Sequence, residues 1–138
     1  TEATRIHLKE SQPGHCDRGD GGALTYLIQT PEGSVFYQDT SGYYSGTIPA
    51  LKPDVAILAA AGRGNIDGEP IQGSLAQFVA GQVEVMKPKK VIYGHHDNWL
   101  PGFSIPTNTD PINAAVKAVH PAVEIIEPGY LEGTQIFG

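Results

Sequence analysis

The chain has 138 residues, 40% of them hydrophobic, which is enough for about one domain with a buried core. Its 9 basic and 15 acidic side chains give a formal charge of −6, and no Lys/Arg cluster is present. This charge argues against nucleic acid or an anionic membrane surface as a partner. No apolar run of about 18 residues occurs, so we expect no transmembrane helix.

Cys16 is the only cysteine of the chain. An intrachain disulfide and a cysteine-based zinc knuckle are therefore excluded. No basic n-region followed by an apolar h-region opens the sequence, so no secretory signal peptide is expected. Together with the single thiol, this predicts a cytoplasmic protein.

The first half of the chain is predicted to be rich in β-strands. Thr4–Lys9 alternates loosely, as a half-exposed strand does, and the Gly-rich segment Ser11–Gly22 is predicted to be a loop. Ala23–Gln29 and Ser34–Gln38 both favour strands. The tight turn Thr30–Gly33 between them predicts a β-hairpin.

The second half alternates predicted strands and helices. Asp54–Ala61 is a continuous apolar run of strand length, typical of a strand buried on both faces. Ser74–Met86 predicts a helix that Ser74 caps and Pro88 ends. Its apolar side chains follow 3–4 spacing: Leu75, Phe78, Val79, Val83 and Met86. Lys90–Tyr93 predicts the next strand.

A second helix and a last strand complete the chain. We expect Asp110 to cap this helix, with Pro111 at its first position. Its apolar face is Ile112, Ala115, Val116 and Val119, and Val123–Ile126 predicts the strand that follows. The order β, ββ, then β-α-β-α-β indicates a single α/β domain over residues 1–138.

Three loops that follow predicted strands carry side chains able to bind metal ions. The first holds His15, Cys16, Asp17 and Asp20; the second holds Asp39; the third holds His95, His96 and Asp97. Sites in α/β sheets are usually built at strand ends along one edge. Imidazole and carboxylate together suit Zn²⁺, Fe or Mn²⁺.

Four segments in this order resemble a known family: F-Y-Q-D-T-S-G after the hairpin, D-V-A-I-L, the following helix, and P-K-K-V-I-Y-G-H-H-D-N-W. They resemble the C-terminal half of the metallo-β-lactamase fold, closest to its lactonase-like and general metal-dependent hydrolase branches. The resemblance runs from about Ile6 to about Pro128. It implies one βα layer of an αβ/βα sandwich, with a mixed sheet and about two main helices.

The N-terminal half of that family carries an H-x-H-x-D-H signature, which this chain lacks. Its five histidines are His7, His15, His95, His96 and His120, and no two of them form H-x-H. The resemblance is therefore to the C-terminal half only, as a fragment of a longer enzyme.

The resemblance implies roles for three residues of this sequence. Asp39 matches the catalytic carboxylate that bridges two metal ions, and His95 matches the late histidine that completes the second metal site. His15 is the candidate for the middle histidine that completes the first. The complete enzyme would hold one or two ions, Zn²⁺ or else Fe or Mn²⁺. It would use metal-bound hydroxide against an ester, lactone, amide or phosphoester of a small-molecule substrate.

Two consequences follow for the 138-residue chain alone. Three ligands would hold one ion weakly or none, so we expect no efficient hydrolysis from it. Half of a two-layer sandwich also leaves an apolar sheet face uncovered. The expected partners are therefore the missing N-terminal half or a second copy of the chain.

Other interpretations of the same residues stay open. Asp39 could instead cap a turn with Thr40 and Ser41, and His95 could be a polar loop residue. His15 could be a solvent-exposed residue of its glycine-rich loop. The alternative class of protein is a non-catalytic α/β binding or interaction module that keeps the half-fold without metal.

The remaining polar candidates are assigned smaller roles. His96 is predicted to be a wall residue of the site, because an adjacent residue points elsewhere on an extended backbone. Asp97 is either a hydrogen-bond partner of a ligand imidazole or part of a surface turn. His7 and His120 are predicted to be structural, and Cys16 is predicted to be a bystander.

The glycine-rich segment Gly62–Gly68 invites comparison with a dinucleotide-binding loop. Its spacing is G-x-G-x-x-x-G, and the next helix begins about six residues later, whereas the fingerprint needs the helix directly at the glycines. Nucleotide binding is thus disfavoured, and Arg63 or Asn65 could contact substrate instead. An apolar wall or rim beside the site is predicted from Tyr43, Tyr44, Trp99, Leu100 and Phe103.

Overall fold

In the part of the chain that the structure describes, a five-stranded mixed sheet with two α-helices forms the α/β layer that the sequence predicts. The computed structural model describes residues 24–39, 46–61, 73–98 and 105–138. The strands are β1 (Tyr26–Gln29), β2 (Ser34–Gln38), β3 (Val55–Ala59), β4 (Lys90–Gly94) and β5 (Glu124–Ile126). They lie side by side in chain order. The predicted strand Thr4–Lys9 lies outside the described residues.

The predicted β-hairpin is confirmed as the antiparallel pair β1 and β2. Thr30 and Gly33 close its turn: the Thr30 N–H donates to the Gly33 carbonyl oxygen at 2.8 Å, and the Gly33 N–H donates back at 3.3 Å. β2 has the predicted bounds. β1 begins at Tyr26, which lies opposite Tyr37, rather than at Ala23.

The first helix, α1 (Leu75–Met86), begins and ends as its sequence predicts. The Ser74 hydroxyl accepts a hydrogen bond from the Gln77 N–H at 3.3 Å, and the Ser74 N–H donates to Gln77 Oε1 at 2.8 Å. This reciprocal capping box satisfies two free donors of the first turn. At the other end, Lys87 adopts a left-handed backbone with φ 52°, and Pro88 follows.

The second helix, α2 (Asp110–Val119), starts one residue earlier than predicted. Asp110 is its first residue rather than its cap, and Thr109 precedes it without a capping hydrogen bond from its side chain. The reason is that Asn108 Oδ1 accepts the Asp110 N–H at 3.0 Å, so a residue further upstream satisfies this donor. Pro111 therefore stands at the second helical position.

Parallel pairing brings three strand ends to one edge of the sheet. β2 pairs with β3, β3 with β4, and β4 with β5, all in parallel. α1 connects β3 to β4, and α2 connects β4 to β5. Such crossovers have one preferred handedness, which keeps successive helices on the same face of the sheet. The carboxyl ends of β2, β3 and β4 consequently share an edge, which we call the carboxyl edge.

The hydrophobic core lies between the helices and one sheet face. That face contributes Phe36, Ala56, Leu58, Val91 and Tyr93, and the predicted apolar stripes of both helices pack against it. Gln82 of α1 is also fully buried, which the apolar pattern does not predict. Neither helix in the described part of the chain is long and apolar enough to cross a membrane.

The opposite sheet face carries an apolar row that the helices do not cover. The row crosses all five strands and consists of Tyr26, Tyr37, Ile57, Ile92 and Ile126, which we call the open face. Tyr26 is 52% exposed, and the other four side chains are partly exposed. The prediction that this strand is buried on both faces is confirmed at four of the five residues of β3, and Ile57 is the one that is partly exposed.

Candidate metal centre at the carboxyl edge

The strand register brings two predicted ligand residues to the carboxyl edge. Gln38 lies opposite Leu58, and Ala59 lies opposite Gly94. Asp39, the residue after β2, therefore extends the row that contains Ala59 and Gly94. His95 follows Gly94 directly, so the carboxylate and the imidazole belong to neighbouring loops at one end of the sheet.

The Asp39 carboxylate reaches across the sheet towards β4. Its Oδ1 atom lies 3.8 Å from the position that a Cβ atom on Gly94 would occupy. Since neighbouring strands are about 4.8 Å apart, β2 and β4 are separated by roughly 10 Å. The side chain must therefore lean over Ala59 on β3. The small residues Ala59 and Gly94 leave the space for it.

Tyr37 stands beside Asp39 on the same face, because side chains two residues apart on a strand point the same way. Partial burial of Tyr37, a hydrogen bond to the Asp39 carboxylate and the charge of that carboxylate raise the pKa of the Tyr37 hydroxyl. The Tyr26 ring packs against the Tyr37 ring, with centroids 6.4 Å apart.

His95 occupies an uncommon backbone conformation for a residue with a side chain. Its φ is 56°, in the left-handed region, and it is exposed. Such conformations cost on the order of 1 kcal/mol or more, and they cluster at binding and catalytic sites. Because of this sharp turn, the chain at His95 no longer follows the direction of β4.

The His96 side chain lies on the helix side of the sheet, next to Tyr93. The His96 ring lies edge-on to the Tyr93 ring, with centroids 6.4 Å apart and planes at 79°. Tyr93 belongs to the buried core beneath the helices, where burial and the nearby Glu127 charge raise its pKa. The backbone oxygen of His96 also accepts the Thr107 N–H at 2.8 Å. Asp97 is exposed at the surface.

A carboxylate and an imidazole are a donor set that fits Zn²⁺, Fe or Mn²⁺. Within residues 24–39, 46–61, 73–98 and 105–138, no three His, Cys, Asp or Glu side chains are grouped closely enough to hold an ion. The described residues thus supply two donors, Asp39 and His95. His15 and Cys16 lie outside the described residues, and so do the predicted substrate and wall residues Arg63, Asn65, Tyr43, Tyr44, Trp99, Leu100 and Phe103.

Another aspartate, Asp54, has a different environment at the amino edge of the sheet, where β2, β3 and β4 begin. Its Oδ2 atom accepts the Ser34 N–H at 2.9 Å and the Ser34 hydroxyl at 3.0 Å, and its Oδ1 atom pairs with Lys89 Nζ at 2.8 Å. The Lys89 ammonium and the two Ser34 donors lower the pKa of Asp54 to about 2. The Asp54 carboxylate therefore links the start of β2 to the residue before β4, and both of its oxygen atoms already have partners.

A cavity of about 250 Å³ opens at the amino edge, lined in part by Val55, Lys90 and Phe137. Three of its four charged side chains are already in ion pairs: Lys89 pairs with Asp54, and Lys90 lies 3.8 Å from Glu124. The cavity is therefore a weaker candidate for a ligand-binding site than the carboxyl edge. His120 also has a structural contact, with its Nε2 atom 3.1 Å from the Pro88 carbonyl oxygen.

Sequence reasoning missed the residues that shape the surroundings of Asp39. Tyr37 could have been found, because strand alternation places it on the same face two residues before the carboxylate. Ala59 and Gly94 could not, because their proximity to Asp39 depends on the register of three strands. No signal in the local sequence specifies that register.

Comparisons with known proteins give structural likeness and no sequence match. No protein-family model matches this sequence, and no curated protein matches it significantly. The isothiocyanate hydrolase from Delia radicum gut bacteria superposes with a TM-score of 0.51 at 9% identity, over 75% of this chain and 40% of that one. Igni18, a metallo hydrolase from Ignicoccus hospitalis KIN4/I, gives a TM-score of 0.48 at 16% identity, over 92% and 64%.

The chain therefore spans about two fifths of the length of the isothiocyanate hydrolase and under two thirds of that of Igni18. At 9% identity, the first likeness shows a shared fold and nothing about substrate. The described layer is thus part of a fold that a known hydrolase uses.

Proposed function

We propose that this chain carries part of the active centre of a metal-dependent hydrolase acting on an ester, lactone, amide or phosphoester of a small molecule. The observation that carries the proposal is the approach of the Asp39 carboxylate to Gly94, the residue before His95. The left-handed backbone of His95 and the hydrolase-like fold support it.

In this proposal the chain's own residues supply ligands and local charge. Asp39 contributes a carboxylate whose negative charge can lie between two cations. His95 contributes an imidazole, and His15 is proposed as a third ligand. A bound metal ion supplies the acidification of water that makes a nucleophile at neutral pH. Zn²⁺ is our first choice of metal, because imidazole and carboxylate are common zinc ligands.

Titration of the chain with Zn²⁺ by calorimetry tests this assignment. Loss of a group that only supports a ligand typically weakens metal binding by about 10- to 100-fold, so Asp39→Asn and His95→Ala should exceed about 100-fold. Asp110→Asn is the matched control, because Asp110 is exposed on α2 and outside the site. Zn²⁺ binding that survives both Asp39→Asn and His95→Ala would show that the ion binds elsewhere and would contradict the assignment of these two ligands.

We also propose that a second αβ layer covers the open face. The row from Tyr26 to Ile126 consists of apolar side chains that are at least partly exposed to water. Among the described residues, helices lie on one face of the sheet only, as in half of a sandwich, and the chain spans 40% of the hydrolase that shares its fold. The proposed source of the layer is the rest of that sandwich.

Without that layer, the 138-residue chain should use the open face for self-association. Light scattering after size-exclusion chromatography should show mass rising with concentration, and Ile92→Lys should reduce this rise. Lys117→Arg, a conservative change at an exposed position on α2, is the control. A chain that stays monomeric at high concentration contradicts the proposal.

A further inference from the structure

β1 lies at the edge of the sheet and has no charged side chain. In the part of the chain that the structure describes, β2 is the strand that pairs with it. All four residues of β1 are exposed, and its apolar side chains point to both faces: Tyr26 and Ile28 to one, Leu27 to the other. Uncharged, apolar edge strands invite pairing with another strand, and proteins usually cover such edges or place charges on them.

The hairpin geometry shows which backbone groups of β1 face this edge. The two ends of the turn Thr30–Gly33 exchange both hydrogen bonds, so they form a hydrogen-bonded pair of the ladder. Because such pairs alternate with non-hydrogen-bonded ones, Tyr26 and Ile28 direct their N–H and C=O groups at β2. Leu27 and Gln29 therefore direct theirs away from β2. We call the N–H groups of Leu27 and Gln29 the outer amides, and those of Tyr26 and Ile28 the inner amides.

The segment Thr4–Lys9 has the properties of a strand that would cover this edge. It reads T-R-I-H-L-K, and its alternation predicts a half-exposed strand. Arg5 and Lys9 give it the charged side chains that natural edge strands carry. The formal charge of −6 favours this basic segment over a second copy of the chain, because a second copy would bring the same net negative charge.

We propose that Thr4–Lys9 pairs with the outer edge of β1 as a further strand, antiparallel to it. The connecting segment Ser11–Gly22 is rich in glycine and predicts no helix, whereas a parallel pairing needs a crossover that is usually helical. A strand antiparallel to β1 runs parallel to β2, so it ends at the carboxyl edge. The loop with the proposed ligand His15 then begins at the same edge as Asp39. The pairing itself does not depend on the proposed function, and its test needs no metal ion.

Amide hydrogen exchange of the ¹⁵N-labelled chain, measured residue by residue by NMR, tests the pairing. We expect the outer amides to exchange at least about 10-fold more slowly than unprotected amides, because they donate to Thr4–Lys9. Contacts between protons give a second measurement. The α-protons of Tyr26 and Ile28 point to the outer edge, so they should show nuclear Overhauser effects to α-protons of Thr4–Lys9.

The double variant Ile6→Pro/His7→Pro should uncover the edge. Neighbouring residues of a strand direct their N–H groups to opposite sides, so one of the two prolines removes a donor that faces β1 in any register. We expect the outer amides to lose their protection while the inner amides, bonded to β2, keep theirs. Gln12→Pro, in the predicted loop, is the control and should exchange as the wild type does.

The possible outcomes separate the occupants of this edge. Outer amides that exchange freely in the wild type would show an uncovered edge and overturn the proposal. Protection that persists in the double variant, or that appears only as the protein concentration rises, would assign the edge to another occupant such as a second copy and would also overturn it.

The proton contacts of the wild type decide the case in which the double variant loses its inner amides as well. Contacts from the α-protons of β1 to Thr4–Lys9 then support the pairing, and their absence contradicts it. None of these measurements depends on Zn²⁺ binding, so the proposed metal site is tested separately.

Discussion

Asp54 and Asp39 lie at opposite edges of one sheet, and their carboxylates have different surroundings. Asp54 receives two donors from Ser34 and an ammonium from Lys89, so its charge is compensated within the fold. Asp39 is exposed, lies on the same face as Tyr37 and leans over two small residues. The same residue type therefore joins strands at one edge and, in our proposal, is a metal ligand at the other.

The difference follows from where each aspartate stands relative to its strand. Asp54 precedes β3, where the backbone atoms of adjacent strand starts converge on it: its carbonyl oxygen accepts the N–H groups of Lys89 and Lys90 at 2.9 and 3.1 Å. Asp39 follows β2, beyond the paired residues of the ladder. In parallel sheets, the carboxyl ends are where loops diverge and leave room for ligands.

Filling the space beneath Asp39 tests whether the open surroundings of this carboxylate matter for metal binding. A Cβ atom on Gly94 would lie 3.8 Å from Asp39 Oδ1 and 4.0 Å from Ile57 Cγ2, which is ordinary contact, so Gly94→Ala should fold and bind Zn²⁺. Gly94→Val adds two further methyl groups to that space and should displace the carboxylate. We expect the valine variant to lose at least about 10-fold in Zn²⁺ affinity, measured by calorimetry.

Gly94→Ala is the control for this experiment, and circular dichroism of both variants checks that the sheet is retained. Valine is a good strand former, so a loss of binding would not come from strand propensity. If Gly94→Val binds Zn²⁺ as tightly as the wild type, the space above Gly94 is unimportant for binding the ion. The open surroundings of Asp39 would then no longer distinguish the carboxyl edge from the amino edge in metal binding.

A smaller effect, on stability alone, is expected from Asp54→Asn. The folded-state pKa of Asp54 is about 2, below its ordinary value of 3.8, so the ionised carboxylate stabilises the fold. That contribution is fully present above about pH 4 and is lost as the pH falls through about 2. Urea denaturation should therefore show the variant to be less stable at neutral pH, with the gap closing towards pH 2.

Asp39→Asn is the matched control at the other edge, because it removes the same charge without touching the Ser34 and Lys89 contacts. We expect it to leave the urea midpoint near that of the wild type at neutral pH, while Asp54→Asn keeps wild-type Zn²⁺ affinity. A stability gap that does not shrink on acidification would contradict the role assigned to the Asp54 pair.

The helices and strands could be predicted from the sequence, because each depends on interactions between residues that are close in the chain. The turn at Thr30–Gly33 fixes the hairpin, and Ser74 with Gln77 fixes the start of α1 through contacts three residues apart. The start of α2 was missed by one residue, because Asn108 rather than Asp110 satisfies the first donor. Competing polar side chains at a helix start make such boundaries uncertain by a residue or two.

The sequence alone determined the composition of the candidate site and the alternation that puts Tyr37 and Asp39 on one face. It also determined the apolar stripes that bury α1 and α2 against one side of the sheet. Only the tertiary structure decided that β2 runs parallel to β3 and β4, that Ala59 and Gly94 lie in line with Asp39, and that Ile57 stays partly exposed. Local patterns encode which face of a strand is apolar, whereas register and neighbour identity depend on contacts between residues distant in the chain.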